Sequence, residues 1–375
     1  MAVGVLALVL ATDVVRTQAC SSPNPQPSPA PGGEVFTTAD GVRFSVDVVA
    51  TNLQIPWSLA FAPDGRLFVT ERPGRVRILD LGAGTNATAL TLDDSLHDGE
   101  AGTLGFALDP SFSSNRLVYL YYTAQMSGGS VNRVVRYREV GGQLGERAVL
   151  LDNIPAAGIH DGGRIRFGPD GLLYITTGDA SNSSRAQDVA SLAGKILRIN
   201  RDGTTPPDNP FSSPVYSYGH RNPQGIDWHP VTGILWESEH GNTGNDEINI
   251  IERGLNYGWP RIEGSQTMPG MQPPITFYSP AIAPSGASFY RGHRFPAFAN
   301  NFFVAALRGM HIHRIRIAST SSIAAQELLL EGRFGRIRDV ITGPDGLLYF
   351  STSNRDGRGS ATSTDDRIAR LVPAS

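Results

Sequence analysis

The chain has 375 residues, 40% of them hydrophobic and 18% charged, with 42 glycines and 26 prolines. A formal net charge of −3 gives no bias toward nucleic acid or anionic membranes, so a polyanion-binding role is excluded as an expectation. With one cysteine, Cys20, no internal disulfide can form, and Gly and Pro spread along the whole length favour an all-β chain with many tight turns.

In chain order, residues 1–20 read as an export signal. The apolar run Val3 to Leu10 is too short to span a bilayer and fits a signal h-region, although a basic n-region is missing. Thr17-Gln18-Ala19-Cys20 resembles a bacterial lipoprotein cleavage box, so Cys20 is a candidate lipid anchor and the expected location is periplasmic or extracellular. Residues 21–40, rich in Ser and Pro, read as a flexible tether. The remainder, 41–375, is expected to be one catalytic propeller domain.

That expectation rests on a repeated phrase. Leu59 to Thr70, with Pro63-Asp64-Gly65 at its centre, recurs as Ile165 to Thr176 and as Val340 to Ser351. Looser copies run through Phe106 to Tyr122, Ile226 to Ser238 and Phe295 to Ile317, which makes six. Each reads as an alternating strand, a Pro-Asp-Gly turn and a second alternating strand. Pro presets φ, Asp bonds its own backbone and Gly takes the positive φ that other residues resist. One such hairpin cannot bury its apolar face alone, and copies spaced by roughly 40 to 60 residues point to blades. A helical solenoid would need a 3.6-residue apolar period, which is absent. The expected fold is a six-bladed β-propeller with four-stranded antiparallel blades.

Four segments break the repeat: His160-Asp-Gly-Gly-Arg164, Gly219-His-Arg-Asn-Pro-Gln-Gly225, Glu239-His-Gly-Asn242 running on to Asp246-Glu-Ile-Asn249, and Arg336-Ile-Arg-Asp339. Three of them sit immediately before a first strand, so in a propeller they should share one face. His160 is a candidate general base, since a free imidazole titrates at about 6.5; a hydrogen-bonded structural histidine is the alternative. Arg221, Arg336 and Arg338 could grip an anionic ligand through bidentate bonds, or simply pair with local acids such as Asp339. Asp246 and Glu247 could offer oxygens to calcium, or lie in a solvated turn.

Gly219 to Gly225, His240-Gly241 with Asn245-Asp-Glu-Ile-Asn249, and Asn256-Tyr-Gly-Trp-Pro260 together resemble the soluble aldose sugar dehydrogenases, which belong with the soluble quinoprotein glucose dehydrogenases; the similarity runs from about Val48 to Val372. The resemblance implies a propeller that binds pyrroloquinoline quinone and calcium at its channel mouth, an aldose substrate, an external electron acceptor and a monomer. It implies His160 as catalytic base, with Arg221 and Asn222 on the quinone oxygens. It also implies Arg308 where the glucose dehydrogenases carry a cofactor-binding lysine, and Arg336 and Arg338 holding the cofactor. Gly241 and Asn242 would ligate the cofactor's calcium through their carbonyls, and Glu247 and Tyr257 a second, structural calcium. Two positions depart from the pattern. Glu100 replaces a glutamine near quinone and sugar, where its charge could repel a trianion unless an arginine neutralises it; Ala281 replaces a cofactor-contacting threonine. A calcium-dependent lactonase and a non-catalytic binding propeller are the rival functions.

Overall fold

In the computed structural model, which describes Met1 and residues 33–319 and 322–374, six antiparallel sheets stand in a ring. The export, Cys20 and most of the tether readings fall outside the described residues. Blade one is Pro56–Phe61, Leu67–Glu71, Arg75–Asp80 and Thr85–Thr91, and blade two is Thr103–Leu108, Leu117–Met126, Gly129–Val140 and Gln143–Pro155. Blade three is Ile165–Phe167, Leu173–Thr177, Lys195–Ile199 and Val215–Tyr218; blade four is Pro223–Trp228, Leu235–Glu239, Asp246–Ile251 and Thr276–Tyr278. Blade five is Pro284–Phe289, Phe302–Ala306, His311–Ser319 and Ser322–Leu329.

Blade six closes the ring with both ends of the chain. Ile337–Thr342, Leu348–Thr352 and Ile368–Pro373 pair in order, and Arg43–Ala50 adds the outer strand, with Phe44 opposite Pro373 and Val48 opposite Ala369. The short strand Phe36–Thr37 pairs with Arg43 and Phe44 and makes this sheet five-stranded. Backbone pairing thus reaches Phe36 and Thr37, two residues within the stretch that composition reads as tether.

The Pro-Asp-Gly turns form as their chemistry requires. Asp64, Asp170 and Asp345 accept the backbone N–H two residues on, at 3.2, 3.1 and 3.1 Å. Gly65, Gly171 and Gly346 sit at φ of 88°, 75° and 76°. The fifth copy is set differently from expectation. The innermost strand of blade five is Pro284–Phe289, and Phe295 to Ile317 covers a 3₁₀ turn (Pro296–Phe298) and the second and third strands. No Pro-Asp-Gly marks that hairpin, so the alternating pattern one strand further along was the stronger signal.

Both faces of each sheet are covered, which explains why central strands such as Leu67–Glu71 are buried at every position. Phe68 and Phe106 stack between blades one and two, with ring centres 5.3 Å apart; Tyr119 and Phe167 pack between blades two and three, and Trp236 and Phe289 between four and five. Apolar layers between blades hold the ring, at about 25 cal/mol per Å² buried. The first strands line a central channel, and several polar residues are buried along it. Asp339 of blade six accepts from Arg164 Nη1 of blade three at 3.1 Å and from the Leu59 N–H of blade one at 2.8 Å. Gly286 leaves room for it, since a Cβ there would meet Asp339 Oδ1 at 1.8 Å.

Candidate active site

The start of each first strand and the end of each second strand lie at the same edge, as the pairs Pro223 with Glu239 and Ile337 with Thr352 show. The segments that lead into first strands and those that join second to third strands therefore open on one face, opposite the Pro-Asp-Gly turns. His160, Arg221, Asn222 and Arg336 come from the former; Gly241, Asn242 and Arg308 come from the latter. The expectation of a shared face holds geometrically.

His160 takes a left-handed backbone, φ 65°, and its carbonyl lies so close to Gly178 that a Cβ there would meet it at 1.9 Å. Its Nδ1 is 2.8 Å from Asp179 Oδ1, and Trp259 Nε1 donates to the other oxygen of Asp179 at 2.8 Å. A carboxylate only accepts, so Nδ1 carries the proton and Nε2 keeps its lone pair. Arg221 is adjacent: its carbonyl accepts from the Asp179 N–H at 2.8 Å, its guanidinium lies over Trp259 at 5.2 Å, and Nη1 donates to the His240 carbonyl at 3.3 Å.

Glu100 is the hub between these groups. Oε2 accepts from the His160 N–H at 3.0 Å and Asn222 Nδ2 at 3.2 Å, and Oε1 accepts from Arg358 Nη1 at 2.8 Å. Burial opposes its ionisation, but the neighbouring His240, the Arg358 guanidinium and the His160 N–H together hold its carboxyl down at about 2. Burial keeps His240 itself below the usual imidazole range. Arg358 is thus the permanent positive charge on Glu100, and it answers the repulsion raised by the sequence.

A cavity of about 310 Å³ opens beside this hub, lined by Glu100, Gln224, His240, Arg308, Arg336, Arg338 and Arg358 among others. Four guanidinium groups face one already neutralised carboxylate. Arg336 donates to Asp356 at 2.8 Å, and Arg338 donates to Gln224 at 3.0 Å and Ser285 at 3.2 Å, so their acidic partner is Asp356 and not Asp339. Burial lowers Arg338 to about 9, which leaves it cationic at neutral pH. Buried Arg221 Nε, Arg338 Nε and His240 Nε2 have no hydrogen-bond partner among the described residues. Such groups call for a ligand with several acceptors. A flat polycarboxylate such as pyrroloquinoline quinone fits this donor set. At blade five the wall is Ala283, Leu307, Arg308 and Met310, and Ala281 does not line the cavity.

The metal residues are placed unevenly. Gly241 turns so tightly that a Cβ would meet the Gly244 carbonyl at 2.0 Å, and its N–H donates to Asp246 Oδ1 at 2.9 Å. Asp246 Oδ2 accepts from the Ile282 and Ala283 N–H groups at 2.7 Å each, so Asp246 braces blades four and five together. Asn242 is exposed, with its N–H 3.4 Å from Glu263 Oε2. Glu247 accepts from the Gly264 N–H at 2.7 Å, and burial beside Glu239 raises its carboxyl to about 8. The Tyr257 hydroxyl donates to the Ile250 carbonyl at 2.6 Å and accepts from the Glu252 N–H at 2.7 Å. The phenol is therefore committed away from Glu247.

A larger cavity, about 750 Å³, lies at the other end of the channel, beside Arg164, Asp227 and Arg291. Asp227 is saturated there by Arg166, Arg291 and the Trp228 and Phe289 N–H groups.

Asp179, Arg358 and Asp356 were not singled out from the sequence, and Trp259 entered only inside the Asn256-Tyr-Gly-Trp-Pro260 motif, without a role. For Asp356 and Arg358 the charged run Arg355-Asp-Gly-Arg358, after the last repeat copy, offered a signal.

Blades two, four, five and six meet at a cation-walled pocket at one channel mouth, which defines a propeller with an anion-binding mouth. The family is then explicit: the model for Glucose / Sorbosone dehydrogenase matches residues 53–361, and the chain belongs to that family. It is similar to the aldose sugar dehydrogenase YliI of Escherichia coli, 32% identical over 84% of this chain and 91% of that protein. A PQQ-bound aldose sugar dehydrogenase from Streptomyces coelicolor superposes with a TM-score of 0.80 at 39% identity, covering 88% of this chain and 98% of that one. A Thermus thermophilus protein, solved as a candidate glucose dehydrogenase, gives 0.82 at 44% identity over 88% of this chain and all of that one.

Proposed function

We propose that this protein oxidises aldose sugars at the anomeric carbon to lactones, with pyrroloquinoline quinone in the arginine-walled cavity. One observation carries the reading: His160, its Nδ1 held by Asp179, stands beside Glu100 at the edge of a pocket whose arginines exceed its acids. Bound there, the quinone would supply the two-electron hydride acceptor, with an external acceptor needed to reoxidise it.

His160 Nε2 accepts the proton of the anomeric hydroxyl as the hydride leaves C1. Asp179 stabilises the imidazolium that results, and Trp259 fixes the carboxylate so the ring cannot swing away. Arg336 and Arg338, stiffened by Asp356, hold the carboxylates of the ligand; Arg221 and Asn222 supply donors at its quinone edge, and Arg308 adds an outer cation. The Gly241 and Asn242 carbonyls would hold a calcium ion, which would supply Lewis-acid polarisation. Glu100 positions the others: it ties His160 and Asn222 together while Arg358 cancels its charge. We place the reaction in the periplasm or outside the cell, on the reading of residues 1–20, with the protein acting as a monomer.

The experiment is reconstitution. Apoprotein, calcium and the quinone are mixed, and bleaching of an acceptor dye is followed with a panel of aldoses. Sugar-dependent bleaching supports the assignment. Lactone hydrolysis without quinone would move it to the lactonase, and inactivity in both assays to a binding propeller.

A further inference from the structure

Beneath the pocket, three carboxylates of blade four are packed around one amide. Asn249 Nδ2 lies 3.0 Å from Glu237 Oε2, 3.3 Å from Glu239 Oε1 and 3.4 Å from Glu247 Oε2. Glu237, Glu239 and Glu247 are 0%, 3% and 6% exposed, and among the described residues none of them pairs with a lysine or arginine side chain. A buried carboxylate without a cation or a full set of donors is costly.

Several buried polar atoms of this cluster lack partners. His220 is fully buried, and its Nδ1, 3.6 Å from Glu239 Oε1, has no hydrogen-bond partner. Glu237 Oε1 and Asn249 Oδ1 are also buried and unpartnered. The imidazole is oriented from both sides. Nε2 is bonded to Ser217 Oγ at 2.9 Å, and the ring stacks on Tyr257 with centres 4.8 Å apart. With Nε2–H given to Ser217, Nδ1 presents a lone pair to the carboxylates, the arrangement in which a histidine binds a metal while its second nitrogen is held by a neighbour. One ligand atom from each of His220, Glu237 and Glu239 lies within 4.8 Å of the others. A tetrahedral ion with bonds of 2.0–2.2 Å sets its ligands about 3.3–3.6 Å apart, so a small inward shift completes the site.

We propose that His220, Glu237 and Glu239 form a buried site for a divalent first-row transition ion, of the zinc or manganese class. One neutral nitrogen with two carboxylates suits these ions better than calcium, which takes oxygen ligands only. The site uses none of Gly241, Asn242, Glu247 or Tyr257 as a ligand. It also has a structural purpose: Glu239 Oε2 accepts from the Arg221 N–H at 2.8 Å, so an ion held there would anchor the segment that carries Arg221.

The test needs neither sugar nor quinone. The full chain is stripped with chelator, dialysed against Zn²⁺, Mn²⁺ or Ca²⁺ alone, and read by elemental analysis and thermal unfolding. One tightly held equivalent of Zn²⁺ or Mn²⁺ that raises the melting temperature, is absent from Glu237→Gln and persists in Glu247→Gln, is the expected result. No retained transition ion, or equal retention in wild type and Glu237→Gln, overturns the proposal, as does a site filled by Ca²⁺ alone. Should Glu237→Gln fail to fold, Co²⁺ is loaded into the wild-type chain. Visible d–d bands displaced by one equivalent of Zn²⁺ support the site, and their absence sinks it.

Discussion

Arg358 donates to Glu100 at 2.8 Å across 258 residues of sequence, joining the long loop of blade six to the segment that enters blade two. The bond turns a carboxylate that ought to repel an anionic ligand into a neutral hub that can still hold His160 and Asn222.

This coupling is measurable. Arg358→Ala should weaken quinone binding, Glu100→Gln should not, and the double variant should recover most of the loss. Arg358 is half exposed, with a side-chain exposure of 52%, so solvent trims the effect to about 1 kcal/mol of coupling, or about fivefold in Kd. Titration by tryptophan quenching reads it; additive effects would show that the two charges act independently.

The same carboxylate gives a pH dependence with a definite sign. Its pKa falls from 4.5 to about 2 on folding, so the folded chain binds this proton less tightly than the unfolded one. The stability it contributes is complete above about pH 4.5 and is lost as pH falls toward 2. The gap in unfolding free energy between wild type and Glu100→Gln should therefore narrow from about pH 5 to about pH 3; a constant gap would contradict it.

For the base, His160→Asn is the cleaner substitution, because asparagine tolerates the positive φ found there better than alanine. Turnover should fall about 10²- to 10⁴-fold while quinone affinity stays within twofold or so. Retained turnover in the dye assay would remove His160 from the role.

Asp339 binds three blades together in the channel. Asp339→Ala leaves the buried Arg164 guanidinium and the Leu59 N–H without their acceptor, and should cost about 3–5 kcal/mol in denaturant unfolding. A loss near zero would mean that water substitutes for the carboxylate.

Lys195 is the only lysine among 32 basic residues, and it is buried. Its Nζ donates to the carbonyls of Arg185, Ala186 and Ala193 at 2.7, 3.1 and 2.6 Å. Three acceptors around one nitrogen suit an ammonium and not a planar guanidinium. Lys195→Arg should therefore destabilise the protein by about 2 kcal/mol or more, measured by the melting temperature.

The ring was legible in the sequence because its turns are local. Pro, Asp and Gly act within three residues, and Asp64, Asp170 and Asp345 make the same bond in all three clear copies. Blade five was set one strand late because Pro284–Phe289 lacks that turn. His160, Arg221 and Arg336 could be singled out because they interrupt a repeat. Asp179 and Arg358 could not, and the role of Trp259 could not be read from the motif that contains it. Their contacts span 19, 80 and 258 residues and depend on how blades three, four, two and six meet at the mouth. Nothing local to those loops encodes that meeting.

Pairing of Phe44 with Pro373 has a consequence for biosynthesis. Until Ile368–Pro373 has been made, Arg43–Ala50 lacks its partner, so a growing chain short of that strand can only be an open arc. Ring closure has to wait for the last strand among the described residues.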